Sequence, residues 1–131
     1  MKAHYRVALA VLAGVVMGVI TLKGLHAQAP AARKLPAFYI SELEVSDPEG
    51  LKPYGARVAS TLEPFGGRFI VRAGKIAPLE GEAPKGRIVV IAFESLEKAQ
   101  AWYDSPAYQE IKPIRHQAAK SRTFLVEGTA N

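Results

Sequence analysis

The sequence predicts an α+β domain in which two helices cover one face of a four-stranded antiparallel sheet. Three observations lead there. Four segments rich in β-branched and aromatic residues, at 37–45, 68–73, 87–94 and 121–128, are bounded by turn residues. Stretches with helical apolar spacing follow the first and third of them. The third segment, "RIVVIAFE", is apolar on both of its faces, as a central strand is, whereas Pro78 close to the second marks an edge. The order β-α-β-β-α-β is the ferredoxin-like split motif, in which the second strand is an edge and the third is central.

Each element has a local reason. "AFYISELEV" (Ala37 to Val45) ends at the turn signal "SDP". Asp47 and Pro48 can open a helix whose stripe is Leu51, Tyr54, Val58, Leu62 and Phe65. Pro53 lacks an amide hydrogen, so the regular helix is expected to begin there, after a looser turn. Gly66 and Gly67 in "EPFGGRFIVRAG" stand where a left-handed helix C-cap is wanted. A phosphate loop would need those glycines between a strand and a following helix, and here the order is reversed. Gly74 is expected to interrupt or bulge the second strand, and "IAPLEGEAPKG" forms a long hairpin connection. Ser95 caps "LEKAQAWYDS", with Leu96, Ala99 and Tyr103 on one face. "SPAYQEIKPIRHQAA" adds a second capped turn, cut short by Pro113, and "SRTFLVEG" is the last strand.

Two helices cover only one face of a four-stranded sheet. In the third strand Val89, Ile91 and Phe93 form one apolar set, and Ile88, Val90 and Ala92 form another. The second set needs a cover, and a second copy of the chain is the simplest one. A homodimer packed sheet to sheet is expected, with Arg68, Arg72, Glu42 or Glu94 pairing at its margins.

The first 29 of the 131 residues have the organisation of a secretory leader. Lys2, His4 and Arg6 make a basic start, "VALAVLAGVVMGVI" (Val7 to Ile20) is the apolar run, and Ala27 and Ala29 fit a signal-peptidase site. Cleavage after Ala29 places Pro30 next to the cut, and cleavage after Ala27 places Leu25 where a small residue is preferred. The alternative is an uncleaved anchor through residues 7–22, shorter than the roughly 18 apolar residues of a spanning helix. The expected division is a leader at 1–29, a linker at 30–36 and a domain at 37–131. The protein is then periplasmic or secreted, and it meets the membrane only if the leader stays.

Composition narrows the chemistry. Of 17 Lys and Arg, three lie in the leader, leaving 14 against 12 acidic residues, which is not the footprint of a nucleic-acid binder. With no cysteine, disulfides, thiolate catalysis and iron–sulfur clusters are excluded. His116 is the only histidine after the leader, so no histidine cluster can hold zinc, and no cofactor is expected. Neither a nucleophile elbow nor a dinucleotide fingerprint occurs.

The remaining candidates are few. His116 could serve as a general acid or base, with Arg115 beside it to hold an anion; the plainer alternative is a histidine capping a helix end. Tyr39, Trp102 and Tyr103 could line an aromatic pocket between helices and sheet, or simply form core, and Tyr39 or Arg72 could polarise a substrate oxygen. Glu42 and Glu44 share a strand face, as paired carboxylates or as partners of Arg68 and Arg72.

The blocks "YISELEVSDPEGLKPYGARVASTLEPFGGRFIVRAGKIAPLEGE", "GRIVVIAFESLEKAQAWYDSPAYQEI" and "SRTFLVEG" resemble, in order and spacing, the bacterial domain-of-unknown-function family numbered 1330. The similarity runs from Phe38 to Gly128. The resemblance implies a dimeric α/β-barrel of ferredoxin-like protomers, and relatives that include antibiotic-biosynthesis monooxygenases, muconolactone isomerases and haem-binding dismutases. It supplies no activity. The expected function is an exported dimer binding a small apolar or aromatic molecule; the alternative is a cofactor-free oxygenase or isomerase similar to those monooxygenases, with His116 as proton shuttle.

Overall fold

In the computed structural model, which describes residues 33–130, the chain runs β1 (Ala37–Val45), α1 (Pro48–Leu62), a 3-10 turn (Glu63–Phe65), β2 (Arg68–Arg72), β3 (Arg87–Phe93), α2 (Leu96–Asp104), α3 (Pro106–Ala118) and β4 (Ala119–Glu127). The strands form one antiparallel sheet in the order β2-β3-β1-β4. This is the ferredoxin-like topology, with β2 at an edge and β3 inside. The leader at 1–29 lies outside the described residues. Among the described residues no helix is long and apolar enough to cross a membrane.

Helix α1 begins earlier than the sequence suggests. The Asp47 carboxylate accepts a hydrogen bond from the Gly50 amide at 2.9 Å, and the Asp47 carbonyl accepts from Leu51 at 3.1 Å, so the first turn is regular. Pro53 sits within the helix, not at its start. The same correction applies to Pro113, which α3 passes through on its way to Ala118. Both prolines are on the solvent side, where water can reach the carbonyl that each leaves without an amide partner. The buried stripes of α1 and α3 outweigh one missing bond apiece.

Gly66 closes the 3-10 turn in the left-handed region, at φ 66°, and its amide bonds the Glu63 carbonyl. The paired glycines are therefore a C-cap, and Gly67 adds a close approach, since a Cβ there would meet Phe93 and Leu62 below 3 Å.

The irregularity expected at Gly74 falls earlier, as a bulge between Phe69 and Val71, and the strand ends at Arg72. Its consequence is a change of face. Phe69 pairs with Ile91 and Arg72 with Val89, both on the helix side, while Val71 pairs with Val90 on the other. Arg72 is thus not at the margin of the open face. Glu42 and Glu94 are also engaged within the chain, with Arg122 and Lys98, both at 2.6 Å.

Alternation on β1 divides the sheet. Ala37, Tyr39, Ser41 and Leu43 are buried under the helices, against Trp102, Tyr108, Ile111, Val58 and Leu62. Opposite them, Phe38, Ile40, Ile88 and Val90 are half-buried, and Phe124 and Val126 are 46% and 42% exposed. No described residue covers that face.

Candidate functional site

The helix side of the sheet encloses a cavity of about 190 Å³ between α1 and strands β1, β2 and β3. Its inner wall is apolar: Leu43, Leu51, Val58, Phe69, Val89 and Ile91. The register explains its position. Small Ser41 stands between Tyr39 and Leu43, and Gly55 faces them from α1, so side chains fail to meet in the middle. A Cβ built on Gly55 would find nothing within 4 Å.

The rim is basic. Arg72, brought to this side by the bulge, donates from Nη2 to the Gly55 carbonyl at 3.0 Å and lies over the Phe69 ring at 4.3 Å. Arg87, opposite Leu43 in the ladder, also lines the cavity. Neither makes an ion pair among the described residues. No acidic residue lines the cavity.

Behind the wall lies a polar cluster. Arg115 is 1% exposed and has no carboxylate partner among the described residues. Its Nη1 donates to the Ser121 hydroxyl, Nη2 stands 3.4 Å from His116 Nε2, and Nε has no partner. Tyr54, which also lines the cavity, holds its ring 6.0 Å from the Arg115 Cζ, and the Tyr54 and Tyr108 hydroxyls share a hydrogen bond at 3.0 Å. Burial by itself would lower the Arg115 pKa, but the phenols of Tyr39, Tyr108 and Tyr54 around it, negative once they ionise at high pH, raise it. Burial pushes Tyr54 up to about 12 and raises Tyr108 as well, so these two phenols stay neutral at ordinary pH. The Tyr39 hydroxyl is buried with no hydrogen-bond partner among the described residues.

The residues singled out from the sequence are only partly together. Tyr39 and Arg72 line the cavity. Trp102 is fully buried core: it donates to Thr61 at 3.0 Å, sits 4.2 Å from the Tyr108 ring and meets Tyr39 edge-on at 5.1 Å. Tyr103 lines a shallow hollow on the other flank of Tyr39, with Gln100, Phe124 and Leu125. His116 is exposed in the last turn of α3; partial desolvation and then the charges of Arg115 and Lys112 lower its pKa. It lines none of these cavities. Glu44 is exposed on the opposite face of the sheet. Sequence reasoning missed Tyr54 and Arg87. Tyr54 was on the α1 stripe and Arg87 two residues before Val89, but only the strand register brings them to one cavity.

The model of the family described as "Domain of unknown function (DUF1330)" matches residues 36–129, so the chain belongs to that family. Curated proteins give no sequence match. Among solved structures, a protein of unknown function from Rhodopseudomonas palustris is similar, with 20% identity over 76% of this chain and 86% of that one and a TM-score of 0.58. A hypothetical protein from Arabidopsis thaliana matches at 16% identity, covering 76% of this chain and 93% of the other, with a TM-score of 0.55. SnoaB, a cofactor-independent oxygenase from Streptomyces nogalater, matches at 13% identity over 74% and 96%, with a TM-score of 0.52. These likenesses show a shared fold.

Proposed function

We propose that this DUF1330 protein is an exported homodimeric binding module that holds one small apolar or aromatic molecule per protomer in the cavity between α1 and the sheet. The observation that carries the reading is the cavity itself: about 190 Å³ of space with apolar walls, opening between Arg72 and Arg87. An apolar cavity of about 150 Å³ is known to accommodate benzene, so one ring fits.

Dimerisation is supported by the uncovered apolar face. Phe38, Ile40, Val90, Phe124 and Val126 form a contiguous surface of the kind that marks an interface, and a twofold axis covers it with its own copy. Export is supported by the leader motif at 1–29. A cofactor-free oxygenase of the kind SnoaB is described as would need a proton shuttle at the ligand, and His116 lines no described cavity.

Native mass spectrometry of the protein recovered from an envelope fraction tests the reading. A dimer of cleaved chains carrying extra mass per protomer is expected, and binding of single-ring aromatics should perturb Trp102 fluorescence through its contact with Tyr39. A monomer whose fluorescence and melting temperature ignore a broad panel of aromatic compounds overturns it.

A further inference from the structure

Resting on the reading of the cavity as a binding site, we infer that its ligand is an acid: a single-ring aromatic monocarboxylate whose carboxylate lies on Arg72 and Arg87 while the ring enters the apolar interior. Three independent features converge on this class. The rim carries two guanidinium groups and the lining carries no carboxylate, although the described chain is nearly balanced in charge. Both rim arginines lack an ion-pair partner among the described residues, so their charge is free to meet a ligand. The third feature is Arg115, buried to 1% exposure with no carboxylate partner among the described residues and with its Cζ 6.0 Å from the ring of Tyr54, which lines the cavity. A buried cation in low dielectric projects its field over several ångströms, and here that field adds to the rim charge at the cavity.

Size agrees with charge. An apolar cavity of about 150 Å³ accommodates a benzene ring, and the cavity of about 190 Å³ here leaves roughly one and a third water volumes beside it. Arg72 is also held for the task. Its hydrogen bond to the Gly55 carbonyl and its stacking on Phe69 fix the guanidinium plane at the rim, so little side-chain freedom remains to be lost on binding. A neutral ring would gain the same apolar burial but leave both guanidinium groups as they are.

Titration calorimetry with benzoate and benzamide on the unaltered dimer, at low ionic strength, tests the inference. The two probes match in shape and differ in charge. Benzoate is expected to bind at least about tenfold more tightly, since hydrogen bonds to charged groups outweigh neutral ones. Added salt should close the gap. Arg72→Gln and Arg87→Gln should each lower benzoate affinity by a larger factor than benzamide affinity, so that the ratio between the two probes narrows. Equal or tighter binding of benzamide overturns the inference while leaving the cavity as a binding site. Binding of neutral indole with no response to benzoate does the same. Failure of benzoate, benzamide and indole alike overturns the inference together with the reading it rests on. The comparison of probes on the unaltered protein stands even where a variant folds poorly.

Discussion

Replacing Phe124 by serine should split the proposed homodimer without unfolding the protomer. Phe124 lies on β4 opposite Ile40, on the face away from the helices. With about 200 Å² of surface for a phenylalanine side chain, an exposure of 46% leaves about 90 Å² available to a partner. At about 25 cal/mol per Å², that area contributes about 2 kcal/mol per protomer, and a twofold interface counts it twice, for about 4.5 kcal/mol. Ordering costs at interfaces reduce such area-derived values, so the expected loss of affinity lies between about tenfold and a thousandfold. Sedimentation velocity across a dilution series reads this directly. The part of the ring covered within the protomer affects folding alone, and a parallel urea melt separates that contribution. A dissociation constant within about threefold of the parent's, or a parent that is already monomeric at micromolar concentration, refutes the reasoning.

Other substitutions probe the cavity and its surroundings. Gly86 sits at φ 95°, and a Cβ there would fall 2.1 Å from the Leu43 carbonyl oxygen, so Gly86→Ala should cost at least about 2 kcal/mol in urea unfolding. Gly55→Ala should do the reverse: its Cβ meets nothing within 4 Å, so the helix gains about 0.5–1 kcal/mol while the added methyl narrows the cavity and weakens ligand binding in calorimetry. Tyr39→Phe removes a buried hydroxyl that has no partner, and unfolding should show stability unchanged or raised by about 1 kcal/mol. Alkaline pH should unfold the domain through Tyr54. Its folded pKa, raised from 10.0 to about 12, means that the unfolded chain releases the proton first, so stability holds below pH 10.0 and falls between there and about 12. The slope approaches about 1.4 kcal/mol per pH unit from this one group, and Tyr54→Phe should flatten it in urea titrations.

Local chemistry in the sequence was enough for the element order and for the caps at Asp47, Ser95, Ser105 and Gly66, because alternation, helical spacing and capping are interactions between near neighbours. The two-faced character of β3 was legible for the same reason, and with it the surplus apolar face. The prolines misled, because whether a helix survives Pro53 or Pro113 depends on the packing of its other side, which no local window contains.

The bulge between Phe69 and Val71 is the sharpest case of what tertiary structure alone decided. Strict alternation put Arg72 on the open face with Arg68; one irregular step turned it to the helix side, onto Gly55 and Phe69. The sequence places Arg115 beside His116, where it could hold an anion; packing instead buries it among phenols from β1, α1 and α3. Periodicity determined which residues are apolar and which elements they form, because those preferences act within a few residues of chain. The cavity and its basic rim arise where strand register and helix packing leave Ser41 opposite Gly55, and that space exists only once distant segments have met.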